Sequence, residues 1–383
     1  MLDSVKDAVT SRYGAGAQKV EAALCCPVDY DPQYLKVIPA EVIEKDYGCG
    51  DPSKYVRPGE TVLDLGSGTG KIAFIASQVV GPSGKVIGID MTSEMLEVAR
   101  RNAPIVAERI GHTNVEFRRG QIQDLKTDVD KLDARLKACP VATAADLEML
   151  HHDLADMRRD QPLVADDSID VIVSNCVLNL VADVDKPALF AEMFRVLKRG
   201  GRIAISDIVS DEPSPAHLKA DAKLWSGCLS GALQEFEFLK LLEDVGFHGI
   251  RILERQQEPW QIIDGIEYRS ITVAAWKGKQ GACWDKNQAV IYQGPWRCVV
   301  DDDGHTYQRG KPMAVCEKTF TLLGQEPYAG QFAPVPPYKE VTEPTPFDCT
   351  RDTIRHASET KTGVPVVTRL ADGPVCGPGS DCC

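Results

Sequence analysis

No apolar run in this 383-residue chain approaches the roughly 20 residues that a membrane-spanning helix needs, so a helical membrane protein is excluded. An excess of basic charge is also missing. The 43 lysines and arginines are outnumbered by 56 aspartates and glutamates, and the net charge of -13 argues against a nucleic-acid partner. The opening residues Met1-Leu2-Asp3-Ser4-Val5-Lys6-Asp7 hold early acidic side chains and no apolar stretch, so a secretory signal is not expected and a cytoplasmic location is. Internal repeats are absent too. In a reducing cytosol the 13 cysteines are not a disulfide framework, which leaves ligands, redox groups and inert core residues.

What the chain does have is regular alternation of strand and helix patterns. Residues 60–66 form an apolar run that ends in glycines, followed by helical spacing of Ile72, Ile75, Ala76 and Val79. Gly81-Pro82-Ser83-Gly84 breaks the chain before a second strand over 85–90. Thr92 or Ser93 caps the next helix, which Pro104 kinks or divides, and 115–120 reads as strand three. Residues 168–176 have the look of a buried parallel strand. Asp185 and Pro187 open a helix that closes at Gly200-Gly201, before a strand over 202–209. The alternation predicts an α/β, doubly wound parallel sheet with right-handed crossovers.

Two stretches depart from it. Residues 126–162 read as a helical insertion that starts at a capping-box-like Thr143-Ala144-Ala145-Asp146. From residue 278 the composition turns to tryptophan and proline, with a hairpin turn at Asp301-Asp302-Asp303-Gly304-His305. Three regions are therefore expected: a cysteine-bearing lid segment over 1–55, the α/β domain over 56–277, and a small α+β domain with a Cys-rich tail over 278–383.

The first βα turn is Asp64-Leu65-Gly66-Ser67-Gly68-Thr69-Gly70. Its alternate glycines differ from the dinucleotide spacing and let an amino-acid-bearing ligand lie against bare backbone. Asp64 suits an ammonium group. Asp90, at the end of strand two, suits a ribose diol, and Gly120-Gln121-Ile122 after strand three could flank an adenine. With Leu197-Lys198-Arg199-Gly200-Gly201 before strand five, this constellation resembles the class I S-adenosylmethionine-dependent methyltransferases. That resemblance implies a Rossmann-like domain with S-adenosylmethionine near Asp64, Gly66, Ser67, Gly68, Gly70, Asp90, Met91, Gln121, Ile122 and Asn175.

Cysteines stand where the acceptor should lie: Cys176 in Ser174-Asn175-Cys176-Val177-Leu178-Asn179-Leu180, Cys228 after Trp225-Ser226-Gly227, and Cys49 in Tyr47-Gly48-Cys49-Gly50. Thiols are an odd lining for a pocket that activates oxygen or nitrogen, so they point to a soft acceptor. With Gly88-Ile89-Asp90-Met91 and 227–233, these segments are similar to the arsenite methyltransferase family over most of residues 20–250. The resemblance implies methylation of trivalent arsenic, as arsenite or its thiol conjugates, in arsenic detoxification. It implies Cys49, Cys176 and Cys228 as arsenic ligands, Cys25 or Cys26 as a redox partner of Cys49, and thioredoxin or glutathione as reductant. Many family members have Glu just before the third cysteine, where this chain has Gly227. Two other readings compete: methylation of another small organic or thiol acceptor, and a thiol metalloid binder without turnover.

Several features are expected to be bland. His151-His152 with Asp153 and Asp156 reads as a solvated helix face, and Cys139 as inert. Cys283, Cys298 and Cys316 lack the C-x-x-C pair of common zinc sites, and Cys376, Cys382 and Cys383 read as a thiol-bearing tail.

Overall fold

The computed structural model describes residues 2–18, 28–45, 47–337 and 340–360. Two compact units divide it, Met1–Gln280 and Gly281–Cys383.

The larger unit is built on a nine-stranded sheet: β1 Thr61–Leu65, β2 Lys85–Asp90, β3 Val115–Arg119, β4 Ile169–Asn175, β5 Leu197–Ser210, β6 Leu233–Gln234, β7 His248–Arg255, β8 Gln261–Ile263 and β9 Ile266–Trp276. Its main path is β3-β2-β1-β4-β5-β9-β7, with β6 on β5 and β8 on β9. The first five strands pair in parallel, and β9 runs antiparallel between β5 and β7. The sheet is therefore doubly wound but mixed, because the chain returns by the β8–β9 hairpin rather than through another crossover helix.

Apolar residues alternate across the sheet to fill two cores. Val62, Val86, Val171 and Val173 pack with helices Lys71–Val80 and Ser93–Ile110, while Leu63, Leu65, Ile172 and Ile203 pack with helices Lys186–Val196 and Glu235–Val245. Burial on both faces explains why β4 reads as a continuous apolar run.

Two boundaries differ from the sequence reading. Pro104 sits within one helix, Ser93–Ile110, without dividing it. The helix expected to close at Gly200-Gly201 ends at Val196, and β5 begins at once at Leu197. Reciprocal bonds between Gly200 and Lys277 and between Lys277 and Gly201 draw this segment into the sheet, a long-range pairing that no local signal carries. The insertion comprises two helices, Val129–Ala138 and Ala144–Asp160, the second opened by a complete Thr143–Asp146 capping box. Neither buries a side chain; ion pairs such as Arg119–Asp133 at 2.6 Å and Arg158–Asp124 at 2.6 Å hold them down.

The smaller unit has a three-stranded antiparallel sheet of Pro312–Ala314, Ala289–Tyr292 and Phe332–Val335 around Tyr292, Tyr307 and Phe332. Strands Cys298–Val300 and Thr306–Gln308 form a hairpin across the Asp301 to His305 turn.

Before β1, Glu60 pairs with Arg202 of β5 at 2.6 Å, their side chains only 15% and 7% exposed. Removing one partner leaves the other charge buried and uncompensated. Arg202→Met is therefore expected to lower the stability of the larger unit by about 3–5 kcal/mol in urea unfolding followed by intrinsic fluorescence.

Candidate active site

One cavity opens at the carboxyl ends of β1, β2 and β4, where a parallel sheet offers loops and helix starts to a ligand. Of the residues expected at the cofactor, Asp64, Gly66, Ser67, Gly68, Asp90, Met91, Ile122 and Asn175 line it. Gly70 and Gln121 do not. Gly70 instead lets the turn enter the helix: its φ is 95°, and a Cβ there would sit 2.7 Å from the Phe117 ring. Gln121 forms a bridge with Asp124 and leaves Gln123 on the wall.

The glycine turn is held by Asp90, whose two carboxylate oxygens accept from Gly68 N at 2.9 Å and Thr92 N at 2.8 Å. Burial raises its pKa, and those backbone donors oppose the rise. Gly66 has a φ of 70° and no room for a Cβ, which would lie 2.4 Å from Val177. The buried Ser67 hydroxyl on the cavity wall has no hydrogen-bond partner among the described residues.

The thiols gather at the end of β4. Cys49 and Cys176 are joined by a disulfide with a Cα separation of 5.9 Å, and the Cys228 thiol donates to the Cys176 carbonyl at 3.0 Å. All three are buried in one apolar cluster with Ile208, Leu218 and Tyr268. Cys176 is also on the cavity wall, so thiol and cofactor regions meet there. Cys25 and Cys26, expected as partners of Cys49, lie outside the described residues; in the structure Cys49 is bonded to Cys176.

The reason lies in the residues around Cys176. Asn175 accepts from Cys49 N at 2.9 Å and Gly50 N at 3.2 Å and donates to Gly50 O at 2.7 Å, so it grips the Cys49 loop. A Cβ on Gly48 would lie 2.2 Å from the Asn175 amide, which is why that loop has glycine there. Asn179 donates to Cys228 O at 3.3 Å and to Asp207 at 2.8 Å. The two amides therefore tie Cys49 and Cys228 to the segment that carries Cys176.

Cys176 and Cys228 are themselves left-handed, with φ of 58° and 61°. A side chain in that region costs about 1–2 kcal/mol, and such strain collects at functional sites. Asp207 is wholly buried within 4.8 Å of the Cys49 and Cys176 sulfurs, and burial lifts its pKa to about 6 against backbone donors from Ile208 and Leu178. Tyr13, on helix Leu2–Gln18, places its hydroxyl 3.7 Å from the Cys228 sulfur, and burial raises its pKa well above the usual phenol value.

Sequence reasoning missed Asp207, Asn179 and Tyr13 as contributors. Asp207 interrupts the apolar run of β5, a signal that was visible; Tyr13 carried none, since only folding brings it to Cys228.

Asn175→Ala should destabilise by about 1–3 kcal/mol through its lost hydrogen bonds. It should also reduce the fraction of Cys49–Cys176 disulfide at a fixed glutathione ratio, as read by peptide mass spectrometry. At position 228, Cys228→Gly should be more stable than Cys228→Ala by about 1 kcal/mol in urea unfolding, because only glycine adopts the left-handed backbone without cost.

Known proteins share both units. A methyltransferase domain model matches residues 57–149 and 141–246, and a model described as a domain of unknown function matches 279–365. The arsenite methyltransferase of Aquipseudomonas alcaligenes is 34% identical over 347 residues, covering 85% of this chain and 89% of that protein. The human arsenite methyltransferase is 30% identical over 311 residues, covering 78% and 73%. The crystal structure of an arsenic(III) S-adenosylmethionine methyltransferase from Chlamydomonas reinhardtii superposes with a TM-score of 0.55 at 29% identity, covering 84% of this chain and all of that one. With its class I methyltransferase sheet and its cysteine cluster, the chain belongs to the arsenite methyltransferase family.

Proposed function

We propose that this protein methylates trivalent arsenic, with S-adenosylmethionine as methyl donor and Cys49, Cys176 and Cys228 as the arsenic ligands. The observation that carries the reading is the convergence of these three cysteines at the end of β4, with Cys176 on the wall shared with Asp90 and the glycine turn.

The cavity suits the donor. Asp90 keeps unused lone pairs for two ribose hydroxyls, the Gly66 and Gly68 backbone and the Ser67 hydroxyl offer polar contacts without bulk, and Ile122 offers an apolar flank for adenine. Bound there, S-adenosylmethionine supplies an electrophilic methyl group.

The remaining work belongs to the cysteines. A disulfide sulfur does not ligate arsenic, so Cys49 and Cys176 must first take up two electrons and two protons, from glutathione or thioredoxin. Three thiols then exchange with arsenite or its thiol conjugates: each As–O or As–S bond lost is replaced by a bond to cysteine, and the thiol proton leaves with the displaced group. Trivalent arsenic in a three-sulfur pyramid keeps a lone pair and carries no proton, so the nucleophile needs orientation and no general base. Tyr13, held protonated by burial, donates to Cys228 and steadies its thiolate. Methyl transfer leaves arsenic formally pentavalent. Cys49 and Cys176 return it to the trivalent state by releasing two electrons as their disulfide forms, and an external thiol reopens the pair.

Purified protein with labelled S-adenosylmethionine, arsenite and glutathione is expected to release methylated arsenic; tight arsenite binding without any methylated product would instead mark a metalloid binder. Cys176→Ser and Cys228→Ser should each abolish turnover. In a single turnover, before any reduction of pentavalent arsenic is needed, Cys49→Ser should slow methyl transfer to arsenite more than to a monomethylated arsenical, which offers fewer positions to thiolates, and equal losses on both would remove the proposed ligand role. Asp90→Ala should weaken S-adenosylmethionine binding about tenfold to a hundredfold in calorimetry while arsenite binding persists.

A further inference from the structure

The smaller unit holds a second group of thiols. Cys283, Cys316 and Cys349 come from three separate segments, yet their sulfurs all lie within 4.8 Å of one another. None is in a disulfide; Cys316 is buried and the other two are half-buried. Of the three cysteines considered from spacing, Cys298 is exposed on its hairpin and takes no part; Cys349 stands in its place.

The fold fixes each one separately. Trp284–Asp285 pairs with Thr345–Pro346, and Phe347 N donates to Cys283 O at 2.9 Å, which brings the start and end of the unit side by side. His305 bonds the Cys349 carbonyl at 2.8 Å, and Arg355 pairs with Asp285 at 2.7 Å. Cys316 opens helix Glu317–Leu323, its sulfur accepting from Thr319 N at 3.5 Å and lying 3.2 Å from the Thr319 hydroxyl. Three independently anchored thiols pointing at one spot form a ligand set for a soft ion.

The number of donors selects among soft ions. Structural zinc takes four ligands, and among the described residues no further histidine, cysteine or carboxylate atom joins the three sulfurs. Trivalent arsenic takes three thiolates and fills the fourth direction with its lone pair. The resulting complex is also neutral, so a partly buried site bears no uncompensated charge.

We propose that Cys283, Cys316 and Cys349 form a second site for trivalent arsenic, separate from the methyl-transfer cysteines; the choice of arsenic rests on the function proposed above. Binding is ligand exchange without redox change. Arsenous acid loses three As–O bonds, gains three As–S bonds, and the three thiol protons leave with the hydroxides as three waters.

The test uses the full-length chain, reduced with a phosphine and equilibrated with arsenite, in a background of Cys49→Ser, Cys176→Ser and Cys228→Ser. Bound arsenic is counted by elemental analysis after dialysis, and its neighbours are read by X-ray absorption. Adding Cys283→Ser or Cys349→Ser, both at half-buried positions that tolerate serine, should remove one arsenic with three sulfur neighbours; Cys298→Ser should remove none. Unchanged stoichiometry in both variants would overturn the proposal, as would a purified chain carrying zinc on these thiols that arsenite does not displace. Methylation by the wild-type chain, followed in parallel, fails independently: its absence sinks the methyl-transfer reading and leaves this count standing.

Discussion

Two asparagine side chains organise the candidate site. Asn175 and Asn179 flank Cys176 in the segment that leaves β4, and they reach in different directions, one to the Cys49 loop and the other to the Cys228 carbonyl. Because these amides are buried, breaking either contact would strand polar groups away from water, so the arrangement is strongly held. Three cysteines separated by more than 50 residues in sequence are thus held together by hydrogen bonds from residues beside them, by the Cys49–Cys176 disulfide and by the bond from the Cys228 thiol to the Cys176 carbonyl.

The same segment links the two halves of the cavity. Val177 fills the space above Gly66, so the acceptor side and the glycine turn are in direct contact, and a side chain at Gly66 would push them apart. The left-handed backbones of Cys176 and Cys228 belong to this geometry. Strain at two positions aims sulfur, while Asp207 and Asn179 supply the hydrogen bonds that hold the strained loops in place. A buried carboxylate among thiols is costly, and its raised pKa records that cost. Lys186, nearly inaccessible and bonded to Asp183 and to Gly231 O at 2.6 Å each, anchors the loop after Cys228.

Much of this was legible in the sequence where the signal was local. The glycine turn, Asp90 twenty-six residues after Asp64, the Thr143–Asp146 capping box and the 301–305 hairpin each rest on a few adjacent residues whose chemistry admits few alternatives. The antiparallel β9, the early start of β5 and the exclusion of Gln121 from the cavity were not legible, because each depends on a partner far along the chain. The thiols of the smaller unit make the same point: Cys283, Cys298 and Cys316 lack a zinc-type spacing and read as bland, whereas strand pairing brings Cys349 to Cys283 and Cys316.

By itself, then, the sequence determined the class of chemistry: a glycine turn with a carboxylate at the next strand end, and cysteines in place of a carboxylate or imidazole base. Those are statements about residue type and near spacing, which backbone geometry converts directly into local structure. Only the tertiary structure decided which cysteines share the site, with Cys49 bonded to Cys176 and Cys228 donating to the carbonyl beside them. The physical reason is reach: a thiol acts over a few ångströms, and packing of the sheet with buried amide clamps, not distance along the chain, sets which thiols come that close.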